Sequence, residues 1–135
     1  TNDQLLVEGD YIQVSELREK AKEFIKGDKN NPEMPEFKLE DVPVFGSIEV
    51  SKQIVSLQND NGTSYEMYIK VQNELIGAYK ELRNELANQK FGKSYDELVA
   101  QSESSELIGQ QYKAIKAIYP QRISEAEPKK IGGEN

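Results

Sequence analysis

The sequence predicts an α+β domain in which a small mixed β-sheet carries two or three helices packed on one face. Three observations lead there. A long amphipathic stretch with both a start and a stop signal fills the middle of the chain. Short runs rich in β-formers precede and follow it. The run just before it passes from strand-like alternation through a turn into helical spacing, which makes a strand-turn-helix unit.

That central stretch is DNGTSYEMYIKVQNELIGAYKELRNELANQKFG, residues 60–92. Asn61-Gly62 is a turn dipeptide, and Thr63 with Glu66 fits a capping box in which each side chain satisfies an orphan amide of the helix start. Met67, Val71, Leu75, Ala78, Leu82 and Leu86 then recur every three or four residues and form one apolar stripe. Lys90 and Gly92 supply the cation and the left-handed stop of a helix C-terminus, so about seven turns of helix are expected.

In chain order, residues 1–3 read as a linker end, and QLLVEGDYIQV at residues 4–14 has the two β-rich runs of a hairpin around Glu8-Gly9-Asp10. Ser15 is placed to cap a first helix over residues 15–26, with Leu17, Ala21, Phe24 and Ile25 on one face and Gly27 past its end. Residues 28–46 carry Pro32, Pro35 and Pro43 without a sustained period, and read as a loop or mobile insertion pinned by Phe37, Leu39, Val42, Val44 and Phe45. Residues 47–59 are expected as strand, and because Ile48 and Val50 alternate in one phase and Val55 and Leu57 in the other, a bulge or turn falls near Ser51-Lys52. After Gly92, Ser94 and Glu97 suggest another capping box, residues 101–105 interrupt the apolar pattern, and Leu107, Ile108, Tyr112, Ile115 and Ile118 mark a last helix that Pro120 ends. Residues 121–127 fit a short terminal strand and residues 128–135 a frayed tail, leaving residues 4–127 as a single domain.

Composition narrows the function. The chain has 135 residues, enough for one domain that buries roughly two thirds of its unfolded surface. Its mean hydropathy of -0.74 fits a modest core and a strongly solvated exterior. No run approaches the ~18 apolar residues of a membrane span. A net charge of -7 argues against a nucleic-acid backbone as partner, since phosphate binding calls for clustered Lys and Arg. The sequence has no Cys and no His, which excludes disulfides, thiolate or imidazole metal sites, and Ser-His-Asp or Cys-His catalysis.

The remaining constellations favour structural readings. The turn at residues 59–64 lies where α/β folds often bind ligands, but it has no glycine-rich phosphate loop, no nearby Lys and no EF-hand ligand spacing, so a capped turn fits it best. Asn61-Gly62-Thr63 is a glycosylation acceptor only in a eukaryotic secretory setting. Tyr65, Tyr68 and Tyr79 could present a carbohydrate or peptide platform, yet helical spacing favours packing at the edge of the core. Asp96 with Glu97 and Glu125 with Glu127 are neighbours in sequence, not carboxylates facing one bond across a cleft. No catalytic, cofactor-binding or metal-binding residue is expected, and the chain reads as a non-enzyme.

Three strings carry a family resemblance: LLVEGDYIQVSELREKAKEFI at residues 5–25, VSLQNDNGTSYEMYIKVQNELIGAYKELRNELANQKFG at residues 55–92, and IKAIYPQRISEAEP at residues 115–128. With the order hairpin, helix, long loop, strand, Asp-bearing turn, long helix and late strand, the chain resembles the periplasmic domain of the ExbD/TolR family, and within it the larger ExbD-type proteins of Bacteroidetes-like bacteria. The family's Asp falls on Asp60 and its Tyr on Tyr65. The loop at 28–46 and the helix before Pro120 are longer than in compact members. The resemblance implies the periplasmic part of a single-pass inner-membrane protein whose proton-carrying Asp lies in a transmembrane helix outside these residues. It also implies ExbB-like and TonB-like partners, a homodimer in the full complex, and coupling of the proton gradient to TonB-dependent outer-membrane transport.

Within such a domain an extended TonB segment could add to an exposed strand edge. The candidate contacts are Ser56, Leu57, Gln58, Asp60 and Tyr65, with the late strand Arg122, Ile123, Ser124, Glu125 and Ala126 as a second edge for a partner or a second protomer. A TolR-like module bracing the envelope through cell-wall components is an alternative within the family. A free-standing ligand-binding domain is an alternative outside it.

Overall fold

A computed structural model describes residues 5–7, 10–58 and 64–126. The expected turn at Glu8-Gly9, Asp60 with the rest of 59–63, Glu127 and the tail at 128–135 lie outside the described residues.

The fold is α+β with a small mixed complement of antiparallel and parallel strands, as the sequence predicts, and the described residues hold four helices where two or three were expected. The strands are β1 (Leu5–Val7), β2 (Asp10–Ile12), β3 (Phe37–Val42), β4 (Gly46–Ser51), β5 (Val55–Gln58) and β6 (Ile123–Ala126). The helices are α1 (Val14–Lys26), α2 (Tyr65–Phe91), α3 (Tyr95–Gln101) and α4 (Glu106–Ile118). Among the described residues the strands form three two-stranded ladders: antiparallel β1–β2 and β3–β4, and parallel β5–β6.

α1 and α2 pack against each other to make the main core. Leu17, Ala21 and Ile25 of α1 meet Val71, Leu75, Ala78, Tyr79 and Leu82 of α2, and Val55, Leu57 and Ile123 of the parallel ribbon close the cluster from the side. Farther along, α2 changes partner. Ala87 is buried with Leu98 of α3 and Ile115 of α4, while Val42 and Val50 of the β3–β4 hairpin bury Ala114 of α4. Phe45 touches both of these smaller clusters, edge-on to Phe91 with ring centroids 6.0 Å apart.

The helix ends show why the chain turns where it does. α1 starts one residue earlier than expected: the amide of Gln13, not Ser15, sits at the cap and donates to Glu16 Oε1 at 2.7 Å. α2 is capped by Ser64, whose Oγ accepts from the Met67 amide at 3.1 Å. Gly92 ends α2 in the left-handed conformation, φ 70°. Gly27 ends α1 at φ 75°, and there a Cβ would also stand 3.1 Å from the Phe37 ring, so conformation and packing both call for glycine. Ser94 and Glu97 form the expected capping box of α3.

Two expectations need correction. Residues 28–46 are not a loop throughout, because Phe37–Val42 is a strand paired in full register with Gly46–Ser51. Of the anchors proposed there, Val42 is buried, Phe37 and Phe45 are half-buried, and Leu39 and Val44 are exposed. Residues 47–59 are not one strand. The phase change marks a break over 52–54, after which the chain leaves the β3–β4 hairpin for the β5–β6 ribbon.

The hairpin turn stores strain. The Phe45 amide donates to the Val42 carbonyl at 3.2 Å, and Val44, at the third position of this turn, has φ 71°. A β-branched side chain disfavours that region, where Gly or Asn normally sits. Val44 is exposed, so little packing holds it. Val44→Asn is expected to raise stability by about 1 kcal/mol, read as a higher denaturation midpoint with an unchanged slope.

The solvent side of α1–α2 is tied by ions. Arg18 reaches Glu74 at 3.1 Å and Glu81 at 2.7 Å, and Lys22 reaches Glu81 at 3.1 Å and Glu85 at 2.7 Å. Gly77 makes room for this, since a Cβ there would stand 2.6 Å from Arg18 Nη2. The hydrogen bond from Arg18 holds the Glu81 carboxyl below its ordinary range, with Lys22 adding to the effect. A lowered folded pKa means that the contribution is complete above the unfolded carboxyl value near 4.5 and is lost as pH falls through the folded value. Glu81→Gln should therefore flatten the loss of stability as pH falls below the ordinary carboxyl value of 4.5. At neutral pH its effect should stay under about 1 kcal/mol, because both partners are partly solvated.

Candidate functional site

Ser56, Leu57 and Gln58 of the first candidate set and Ile123, Ser124, Glu125 and Ala126 of the second come together in one ribbon. β5 and β6 run parallel with Val55 opposite Ile123, Ser56 opposite Ser124, Leu57 opposite Glu125 and Gln58 opposite Ala126. Val55, Leu57 and Ile123 face the α1–α2 core, and Ser56 and Ser124 face solvent. Among the described residues neither strand pairs with a third, so each keeps one open edge. Tyr65, the first residue of α2, is 78% exposed. Asp60 lies outside the described residues, and no side-chain geometry is described for Gln58 or Ala126.

The ribbon begins in a knot of polar contacts that pattern analysis misses. Gln53 is 1% exposed, and both ends of its side-chain amide and its backbone carbonyl are bonded: Nε2 donates to the Pro120 carbonyl at 3.0 Å, Oε1 accepts the Tyr79 hydroxyl, and its carbonyl accepts from Arg122 Nη1 at 3.1 Å. The Tyr79 hydroxyl also lies 3.1 Å from the Arg122 carbonyl, which accepts from the Val55 amide at 2.9 Å. The Arg122 guanidinium is thus turned inward onto the start of β5. Burial pushes the Tyr79 hydroxyl pKa up, against the opposing effect of its hydrogen bonds.

At the other end of β6, the Glu125 carboxylate accepts the Tyr68 hydroxyl and Gln72 Nε2, the latter at 3.0 Å. The hydrogen bond to Glu125 raises the Tyr68 pKa. Arg83 Nε donates to the Tyr119 carbonyl at 2.8 Å. Tyr65, Tyr68 and Tyr79 therefore do not form a common platform: the first is exposed, the second holds a carboxylate and the third is buried. The signal for the missed residues was present in α2 as the spacing of Tyr68, Gln72, Tyr79 and Arg83, which share one helical face beside the apolar stripe.

Among the described residues no group of three or more acidic side chains is disposed to hold a metal ion, and no helix is long and apolar enough to cross a membrane. What the site offers chemically is backbone hydrogen bonding along two short open edges, with the register set by pleated side chains. Comparison with known proteins finds no matching family model, no matching curated protein and no matching solved structure.

Proposed function

We propose that this chain is a non-enzymatic, periplasmic energy-transduction module of the ExbD type, acting with ExbB-like and TonB-like partners to couple the proton gradient to outer-membrane transport. The observation that supports it is the parallel β5–β6 ribbon, packed on one side against the α1–α2 core and open at both outer edges among the described residues. An extended TonB segment adds a strand to one edge, Ser56 and Leu57 or Ser124 and Glu125 lying beside it, and the four-residue length of each strand keeps the contact weak and reversible.

The test is a titration of the isotope-labelled domain with a peptide from the periplasmic linker of the TonB encoded in the same genome. Saturable amide shifts confined to Val55–Gln58 or Ile123–Ala126 and the start of α2 are expected. Absence of shifts at millimolar peptide, both for the domain and for a tethered dimer of it, overturns the reading. The coding sequence upstream of Thr1 gives a second check: one apolar span bearing an Asp agrees with it, and a cleavable signal peptide does not.

A further inference from the structure

Tyr68, Gln72, Tyr79 and Arg83 fall within about 60° of one another around α2. All four address one stretch of chain. Arg83 bonds the Tyr119 carbonyl, the Tyr79 hydroxyl lies against the Arg122 carbonyl, and Gln72 and Tyr68 hold the Glu125 carboxylate. The acceptors come every third residue and meet the helix in reverse order, so residues 119–125 run antiparallel along α2. The stretch is fixed otherwise by the ladder to β5, by Gln53 and Arg122, and by the half-buried Tyr119 and Ile123. The α1–α2 contact, in contrast, buries eight side chains in one cluster.

We propose that residues 119–126 form a strap that opens as one unit while α1 and α2 stay folded, and that the polar stripe of α2 is the latch that sets how often it opens. A short strand with one neighbour and few apolar anchors belongs to the low-stability part of a fold. Its opening bares the edge of β5 that β6 now covers, which would double the backbone donors and acceptors that β5 presents. The strap opens in this way whichever partner the ribbon takes.

Native-state hydrogen exchange on the whole chain tests it. The amides that bond across the β5–β6 ladder, that of Val55 among them, should exchange together, by an opening less dependent on denaturant than that of the interior amides of α2. Glu125→Gln, at an exposed position, and Tyr68→Phe, at a half-buried one, should each speed exchange of the strap roughly three- to tenfold and leave α2 unchanged. A disulfide between Ser56→Cys and Ser124→Cys, which face each other across the ladder, should slow exchange of the strap to the rate of α2. Strap amides that exchange only with α2 would overturn the separate opening. Strap exchange unaffected by both latch variants would overturn the role given to the stripe.

Discussion

Leu82→Ala is expected to destabilise the domain by about 2–5 kcal/mol. Leu82 is 2% exposed, on the apolar stripe of α2 that is buried together with Leu17, Ala21 and Ile25 of α1. Truncation removes the transfer free energy of the lost carbons and leaves a cavity that two helices, packed through eight buried side chains, relax into only partly. The matched control is Leu107→Ala on α4, the same chemical change at a position 64% exposed, which should stay within about 0.5 kcal/mol. Both are read from denaturation midpoints at constant slope. A loss below about 1 kcal/mol at Leu82 would show that the α1–α2 contact is not the principal core.

How far the sequence reveals this fold follows from what each segment answers to. α2 was legible because its apolar positions, its last-turn Lys90 and its stop at Gly92 are local signals that agree. The stripe fails only at its end: the step from Leu82 predicts Leu86, yet Ala87 is the fully buried residue because α3 and α4 replace α1 as the packing partner there. β3 was hidden because Phe37 and Leu39 share its outer face while Val42 lies on the inner one, so FKLEDV shows no clean alternation. At 53–54 hydropathy misleads outright, with Gln53 buried and Ile54 53% exposed. An apolar side chain at 53 could not satisfy both the Tyr79 hydroxyl and the Pro120 carbonyl. Both strands of the candidate site could be read from their residues, but their parallel pairing could not. Parallel partners are joined through a long crossover, here all of α2, α3 and α4, and no local pattern reports it.

Tyr79→Phe keeps the ring and removes one oxygen, and it is expected to destabilise the domain by roughly 1–3 kcal/mol. The ring is fully buried, so its packing survives, but Gln53 Oε1 loses its donor in a place water does not reach. Tyr65→Phe removes a hydroxyl from an exposed ring and should stay within about 0.5 kcal/mol. A double-mutant cycle separates the hydrogen bond from the ring: Tyr79→Phe should cost less by about 1 kcal/mol when Gln53→Met has already removed the acceptor. Equal losses in both backgrounds would mean that the contact contributes nothing specific. The alkaline limb supplies an independent reading. Because burial raises the Tyr79 pKa, the unfolded chain releases its proton first, so the contribution is complete below the ordinary value of 10.0 and is lost as pH rises through the raised one. Tyr79→Phe should reduce that loss without abolishing it, since Tyr95 and Tyr119 are also raised by burial. A domain that loses its stability above pH 10.0 equally steeply with Phe at 79 would place the buried, un-ionised hydroxyl elsewhere than at the junction of α2 with the β5–β6 ribbon.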